Sequence, residues 1–274
     1  MGVLFGLLTA LAIGASDLFG RRILHAQSPV TAAVPMQFFG ILTAALALLA
    51  IESDANASDL AFGATSGLGF AIGLGCYYSG LAKASSAIMA PVVAMLSAVL
   101  PVGYSILRGS APSRLTFVGA GLCLIGLAAI TVNRRALGVD WVALRWGTVS
   151  GLGYALGLIM MIEVRDAAGM WPAVAQRSTA FAALAGVALA TKVSLAPLPQ
   201  LRWSALFAGI AVGLSSIFLL VGLELDPTPT LIVTSVFPAI SVLVGLFAYQ
   251  DEVRRAQWAG IGIVVVGIAC ISVG

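Results

Sequence analysis

Apolar residues along this chain run together in long blocks instead of alternating with polar ones, and short clusters of charged, Pro, Asn and Asp positions punctuate them. The breaks divide the sequence into ten candidate spans at about 3–20, 30–51, 60–82, 87–107, 115–133, 146–164, 172–191, 204–225, 229–249 and 257–273. Each is close to the roughly 20 residues with which an α-helix crosses about 30 Å of hydrocarbon, whereas barrel strands would show about 10 residues of alternating polarity. The pattern predicts an all-α integral membrane protein with ten transmembrane helices. The longest connections, around Arg134 to Arg145 and Lys192 to Trp203, are about a dozen residues, so no extramembrane domain is expected.

The spans repeat. Arg114 to Val132 aligns without a gap on Arg255 to Val273, and Arg114/Arg255, Gly119/Gly260, Gly121/Gly262, Gly126/Gly267, Ala128/Ala269, Ile130/Ile271 and Val132/Val273 are identical. Seven identities in nineteen positions exceed the roughly one or two that so biased a composition gives by chance. Gly6 answers Gly147 in the first span of each half, and Gly80-Leu81 answers Gly222-Leu223 in the third. An odd number of crossings makes the second copy enter the membrane from the opposite side. The expected fold is therefore two inverted five-helix repeats, residues 1–137 and 138–274, an arrangement used by transporters that alternate access around a midplane site.

Glycines four apart, at Gly63/Gly67, Gly69/Gly73, Gly147/Gly151, Gly153/Gly157 and Gly209/Gly213, predict close helix packing. Gly67-x-Gly69 and Gly119-x-Gly121 follow no strand and lack the full spacing of a nucleotide loop. Proline falls inside the fourth span at Pro91 and Pro101 and inside the ninth, its counterpart, at Pro238. Each removes a backbone hydrogen bond, which suits either a hinge near a substrate site or a tolerated kink.

Composition sharpens the class. The chain is 60% hydrophobic and 9% charged, with a mean hydropathy of +1.07, where a soluble domain would carry roughly a quarter charged residues. The net charge of +3 is modest and its basic residues sit at helix ends, so nucleic acid is excluded as a partner. Cys76, Cys123 and Cys270 lie within apolar runs and read as small buried side chains. The apolar run starting at Gly2 has no basic stretch before it and is expected to stay as a helix. Loops after odd-numbered spans carry ten basic residues and loops after even-numbered spans carry Arg108, Arg114 and Arg165, which places both termini outside the cytoplasm.

Ionisable groups within a span cost about 3 kcal/mol on insertion scales, so those retained are candidates for function. Two qualify, Asp17 near the end of the first span and Arg177 near the start of the seventh. Their depths should differ by roughly 15 to 20 Å at about 1.5 Å per residue, too far for a salt bridge. Arg177 could instead snorkel to the headgroups, and Asp17 could be a solvated helix-end residue facing Arg21 and Arg22. Gln37 is the polar neighbour of Asp17 by depth. Tyr77 or Tyr78, Tyr104 and Tyr154 could line a cavity, with helical geometry allowing one of the adjacent pair to face inward. Glu163 and Glu224 read as interfacial.

These residues resemble the ten-helix, EamA-type members of the drug/metabolite transporter superfamily. The likeness spans the chain. Gly14-Ala15-Ser16-Asp17-Leu18-Phe19-Gly20-Arg21-Arg22 is similar to a Trp-Gly-Ser-x-Asp-Phe pattern, with Ile13 in place of the Trp. Ala90-Pro91-Val92 and Val236-Phe237-Pro238 resemble the family's proline-bearing helices, and Gly169-Met170-Trp171-Pro172 followed by Arg177 resembles the entry to its seventh. The chain departs from the family where Gly-Glu commonly follows the fourth and ninth spans: here stand Gly109-Ser110 and Gln250-Asp251, with Glu252 next. At the position matching Arg177 the first half has Gln37. For many relatives the resemblance implies cytoplasmic termini, against the charge count.

The expected function is secondary-active export of a small metabolite or amphipathic compound by alternating access, in the plasma (bacterial inner) membrane. The expected site draws on Asp17, Gln37, Tyr78, Tyr154 and Arg177, with Pro91 and Pro238 as hinges. Expected partners are a small-molecule substrate and the lipid bilayer, with the chain acting as a monomer. No cofactor, metal or catalytic residue is expected: His25 lies in a loop, and no His-Glu-x-x-His, Gly-x-Ser-x-Gly or Walker A sequence is present. A lipid-handling or structural membrane protein is the alternative that the same packing permits.

Overall fold

The computed structural model describes residues 1–81, 83, 86–109, 112–131, 141–237, 240, 243–244 and 255–273, with residues 81, 86–88, 90–91, 130–131 and 256–257 described by their backbone alone. Pro238 and the expected repeat boundary at 137/138 therefore lie outside the described residues, and so does the side chain of Pro91. The described residues form ten α-helices: α1 (Gly2–Leu24), α2 (Pro29–Ala47), α3 (Ala57–Leu81), α4 (Ser86–Leu107), α5 (Arg114–Thr131), α6 (Trp141–Ile162), α7 (Trp171–Ala190), α8 (Arg202–Leu225), α9 (Pro227–Thr234) and α10 (Arg255–Val273). Among them α1, α2, α3, α6, α7 and α8 are long and apolar enough to cross a membrane, while α4, α5 and α10 hold shorter apolar stretches.

Local chemistry starts several helices. Ser28 accepts a hydrogen bond from Thr31 N–H at 3.1 Å ahead of Pro29, the first residue of α2. Asn56 and Asp59 cap each other across the start of α3, each side chain accepting from the other's N–H at 3.0 Å. Helix α1 runs four residues beyond the end expected from the sequence, because Arg21 and Arg22 are compatible with a last helical turn, where cations meet the negative end of the dipole. Pro35 also lies inside α2, a third proline-bearing span beside the expected fourth and ninth.

The helices pack through glycine. Helices α3 and α6 run antiparallel, with a Cβ on Gly69 meeting Gly153 O at 2.7 Å and a Cβ on Gly153 meeting Gly73 N at 2.6 Å. The Gly63/Gly67 pair lies on Pro172 and Gln176 of α7, and Gly209/Gly213 lies on the α2 backbone at Met36 and Gly40. Gly147 and Gly151 sit against Met89, Val93 and Leu96 of α4. Helices α5 and α10 form a separate antiparallel seam, Gly119 against Gly267 and Gly126 against Gly260. Every glycine pair that the sequence singled out for packing is thus at a helix contact. At this proximity hydroxyls reach across: Ser66 donates to Gly157 O at 2.7 Å and Ser150 to Gly73 O at 2.8 Å.

The bundle ends are tied by different chemistry. Where α2 meets α3, Arg165 donates to Asp59 through Nε at 3.1 Å and Nη2 at 2.6 Å, and Nη2 also reaches Asp54 O. Asp59 is 1% exposed at its side chain, so this ion pair is half desolvated. At the opposite end, Thr31 donates to Ser194 O at 2.9 Å and Leu198 N–H to Gln27 Oε1 at 2.9 Å, both neutral bonds.

A Cβ on Gly126 would lie 2.6 Å from Gly260 O and 2.8 Å from Val264 Cγ2. Gly126→Val is expected to lower stability by about 1–3 kcal/mol through overpacking of the α5–α10 seam. Gly262→Ala, on the open side of α10 where nothing lies within 4 Å, should be neutral or slightly stabilising. Thermal unfolding of the two purified variants against the parent checks the pair.

Candidate functional site

Where the glycine seams diverge, a cavity of about 110 Å³ lies between α1, α2, α3, α4, α6, α7, α8 and α9. Its apolar wall includes Ile13, Phe70, Leu74, Val93, Leu158, Val212 and Leu219. Larger hollows occur at the helix ends beside Arg165 and on the outer surface beside Trp141, but the central one gathers polar groups from both halves of the chain. Convergent polar side chains in an otherwise apolar cavity make it the candidate binding site.

All five candidates, Asp17, Gln37, Tyr78, Tyr154 and Arg177, line this single cavity. Arg177 does not snorkel. It is 5% exposed and turns inward, donating through Nε to Ser216 Oγ at 2.8 Å, through Nη1 to Gln37 Oε1 at 3.2 Å, and through Nη2 to Ser215 Oγ at 3.4 Å and again to Ser216. The Phe70 ring faces it at 5.7 Å, a cation–π distance. Its place about a third of the way along α7 follows from the helix starting at Trp171, about 10 Å away at about 1.5 Å per residue, and the helix is packed there on α2 and α3.

The arginine is held by a relay. Ser216 Oγ accepts from Arg177 and donates to Gln176 Oε1 at 2.5 Å; Gln176 Nε2 donates to Ser66 Oγ at 2.7 Å; and Ser66 ends the chain on Gly157 O. Ser66, Gln176 and Ser216 are all buried, so the relay links α8, α7, α3 and α6 without solvent. Such a connected polar network fixes a side chain more firmly than apolar packing.

Several expectations need correction. Because α1 extends to Leu24, Asp17 lies seven residues from its end and not three, and its depth differs from that of Arg177 by about 9 Å counted from that end and about 14 Å counted from the other, below the expected 15 to 20 Å. They still form no direct pair. Tyr77 and Tyr78 both line the cavity, since a cavity bordered by several helices covers more than one helical face. Tyr104 does not line it: its hydroxyl donates to Glu163 at 2.7 Å near the helix ends, where Glu163 also pairs with Arg108 at 3.1 Å. The sequence reading missed Gln176, Ser215 and Ser216, although a glutamine beside the buried arginine and two adjacent serines deep in an apolar span were visible signals. It also missed Thr234, whose hydroxyl lines the cavity, is buried and has no hydrogen-bond partner among the described residues.

Residues 1–132 match the model of the EamA-like transporter family. No curated protein matches the chain. Chains of known structure do match, among them one titled "Crystal structure of protein", with a TM-score of 0.77 at 18% identity over 99% of this chain and 96% of that one. At that identity the likeness shows a shared fold, here over both halves. The family match and the apolar helices support a multi-pass membrane transporter in general.

Ser216→Ala removes the acceptor of two guanidinium contacts and the donor to Gln176. A neutral interhelical hydrogen bond in a membrane averages about 0.6 kcal/mol, but a buried charged donor left unsatisfied costs about 1–3 kcal/mol or more. The larger figure should govern. Ser215→Ala, which loses a 3.4 Å bond, is expected to cost clearly less, as thermal unfolding of both variants would read out.

Proposed function

We propose that this chain, a drug/metabolite transporter superfamily member whose first half is EamA-like, is a secondary-active transporter that exports a small metabolite or amphipathic compound by alternating access. The carrying observation is the central cavity, on which Asp17, Gln37, Tyr78, Tyr154 and Arg177 converge from both halves.

Two inverted five-helix repeats are supported by contacts that exchange at the shift of 141. Gly6 lies on Thr230 and Val233, and its counterpart Gly147 lies on their counterparts Met89 and Val92. Gly119 lies on Gly267, as Gly260 lies on Gly126. A repeat that packs on its own image has two equivalent ways to close, one around each end of the bundle, and this is the geometric basis of alternating access. Pro91 and Pro238, in matching helices, are the proposed hinges. Asp17 is the titratable carboxylate on the cavity wall and the proposed coupling group.

The proposed orientation keeps both termini outside the cytoplasm of a plasma (bacterial inner) membrane. The helix order gathers Glu52, Asp54, Asp59, Glu163, Asp166, Glu224 and Asp226 at the end where α1 begins, and Arg21, Arg22, Lys83, Arg145, Lys192, Arg202 and Arg255 at the other. Basic loops stay cytoplasmic.

Two measurements test this reading. Asp17→Asn keeps size and hydrogen bonding but removes the charge, and should abolish pH-dependent substrate flux in proteoliposomes while leaving the protein folded. Normal flux with unchanged pH dependence would remove Asp17 from coupling, and absence of flux across a broad metabolite panel would favour a lipid-handling or structural protein. For orientation, a single cysteine replacing exposed Ser58 should react with a membrane-impermeant thiol reagent in intact cells, and one replacing exposed Ala26 should not. The reverse pattern would put the termini in the cytoplasm.

A further inference from the structure

The buried guanidinium of Arg177 has only neutral partners. Ser216, Gln37 and Ser215 accept its hydrogens, and among the described residues no carboxylate pairs with it. Hydroxyl and amide dipoles return part of the desolvation cost of a buried cation, but a counter-charge with good geometry returns more. Arginine carries five N–H hydrogens. Four contacts are made, and Nη1 makes one of them, so one Nη1 hydrogen has no described acceptor. On the same cavity the Thr234 hydroxyl is buried with no partner among the described residues. Counted from the starts of α7 and α9, which share one end of the bundle, Arg177 and Thr234 both lie about 10 Å deep. The cavity thus presents a rigid cation and a spare hydroxyl at one level.

We propose that the cavity binds a small organic monocarboxylate, its carboxylate on the Arg177 fork and its apolar body against Phe70, Leu158, Val212 and Leu219. The proposal rests on the transport reading in taking the cargo to occupy this cavity. The planar guanidinium matches a carboxylate in charge and geometry. At roughly 10–15 Å³ for each water-sized site, the cavity's size accommodates a ligand of about eight non-hydrogen atoms. Among the described residues Arg177 is the one cation lining the cavity, which favours a monoanion over a dicarboxylate or phosphate ester. The Ser216–Gln176–Ser66 relay holds the fork in place before the ligand arrives, so little ordering is lost on binding.

An isosteric series tests this: isovalerate, isovaleramide and isoamylamine, with inorganic phosphate as a second anion, each titrated against the purified protein by thermal unfolding and supplied to proteoliposomes for flux. Isovalerate should raise Tm saturably, while the amide, the amine and phosphate bind at least ten-fold more weakly. Arg177→Lys, which keeps a cation but loses the fork, should weaken isovalerate binding at least ten-fold and Arg177→Met should abolish it; if the Met variant does not fold, the Lys variant decides. Equal stabilisation by the amide, amine or phosphate, no response to isovalerate or other short monocarboxylates, or undiminished binding in Arg177→Lys would overturn the assignment. Monocarboxylate binding without flux would keep the assignment and sink the transport reading. Flux of the amine without carboxylate binding would do the opposite.

Discussion

Lipid tails are as apolar as leucine, so burying apolar surface does little to hold one transmembrane helix against another. The structure depends on what replaces that drive: backbones brought together at glycine. A methyl group at Gly69, Gly153, Gly119 or Gly126 would stand within 3 Å of a neighbouring backbone oxygen, so these contacts tolerate no side chain. The interhelical bonds follow from this closeness, because the short side chains of Ser66 and Ser150 reach the carbonyls of Gly157 and Gly73 only where two backbones nearly touch. The cavity follows too, since it occupies the space where the α3–α6 seam and its neighbours part.

The same closeness lets a charge sit buried within a membrane-length helix. Ser66 is on α3, Gln176 and Arg177 on α7, and Ser216 on α8, so the relay exists only if three helices meet within hydrogen-bonding range. Glycines on α3 and α2 make that possible: Gly67 of α3 lies against Gln176, and Gly40 of α2 contacts both Arg177 and Val212. Once assembled, the relay leaves no freedom for the long side chain to climb toward headgroups.

The chain is built of similar halves but is not chemically symmetric. Where the second half has Arg177 the first has Gln37, and the structure brings the two together, Gln37 accepting from the guanidinium. Two arginines there would repel across the same cavity. The bundle ends differ in the same way, with an Asp59–Arg165 ion pair at one and neutral bonds from Thr31 and Leu198 at the other. A shared scaffold thus carries unequal chemistry at its two ends.

The sequence by itself determined the helical membrane class, the places of the six long apolar helices and the glycine contacts, because the length of an apolar block and the absence of a side chain are local properties. It also singled out Asp17 and Arg177, since any charge inside an apolar run is conspicuous. It did not decide where Arg177 points. Snorkelling and burial differ only in whether Ser216, Gln176 and Ser66, from helices distant in sequence, supply enough acceptors and donors to replace water. Nor did it decide that Tyr77 and Tyr78 share one cavity, or that Tyr104 turns away to Glu163. Those outcomes depend on how several helices surround a common space, and only the tertiary structure brings residues such as Thr9, Gln37, Thr234 and Arg177 to the same wall.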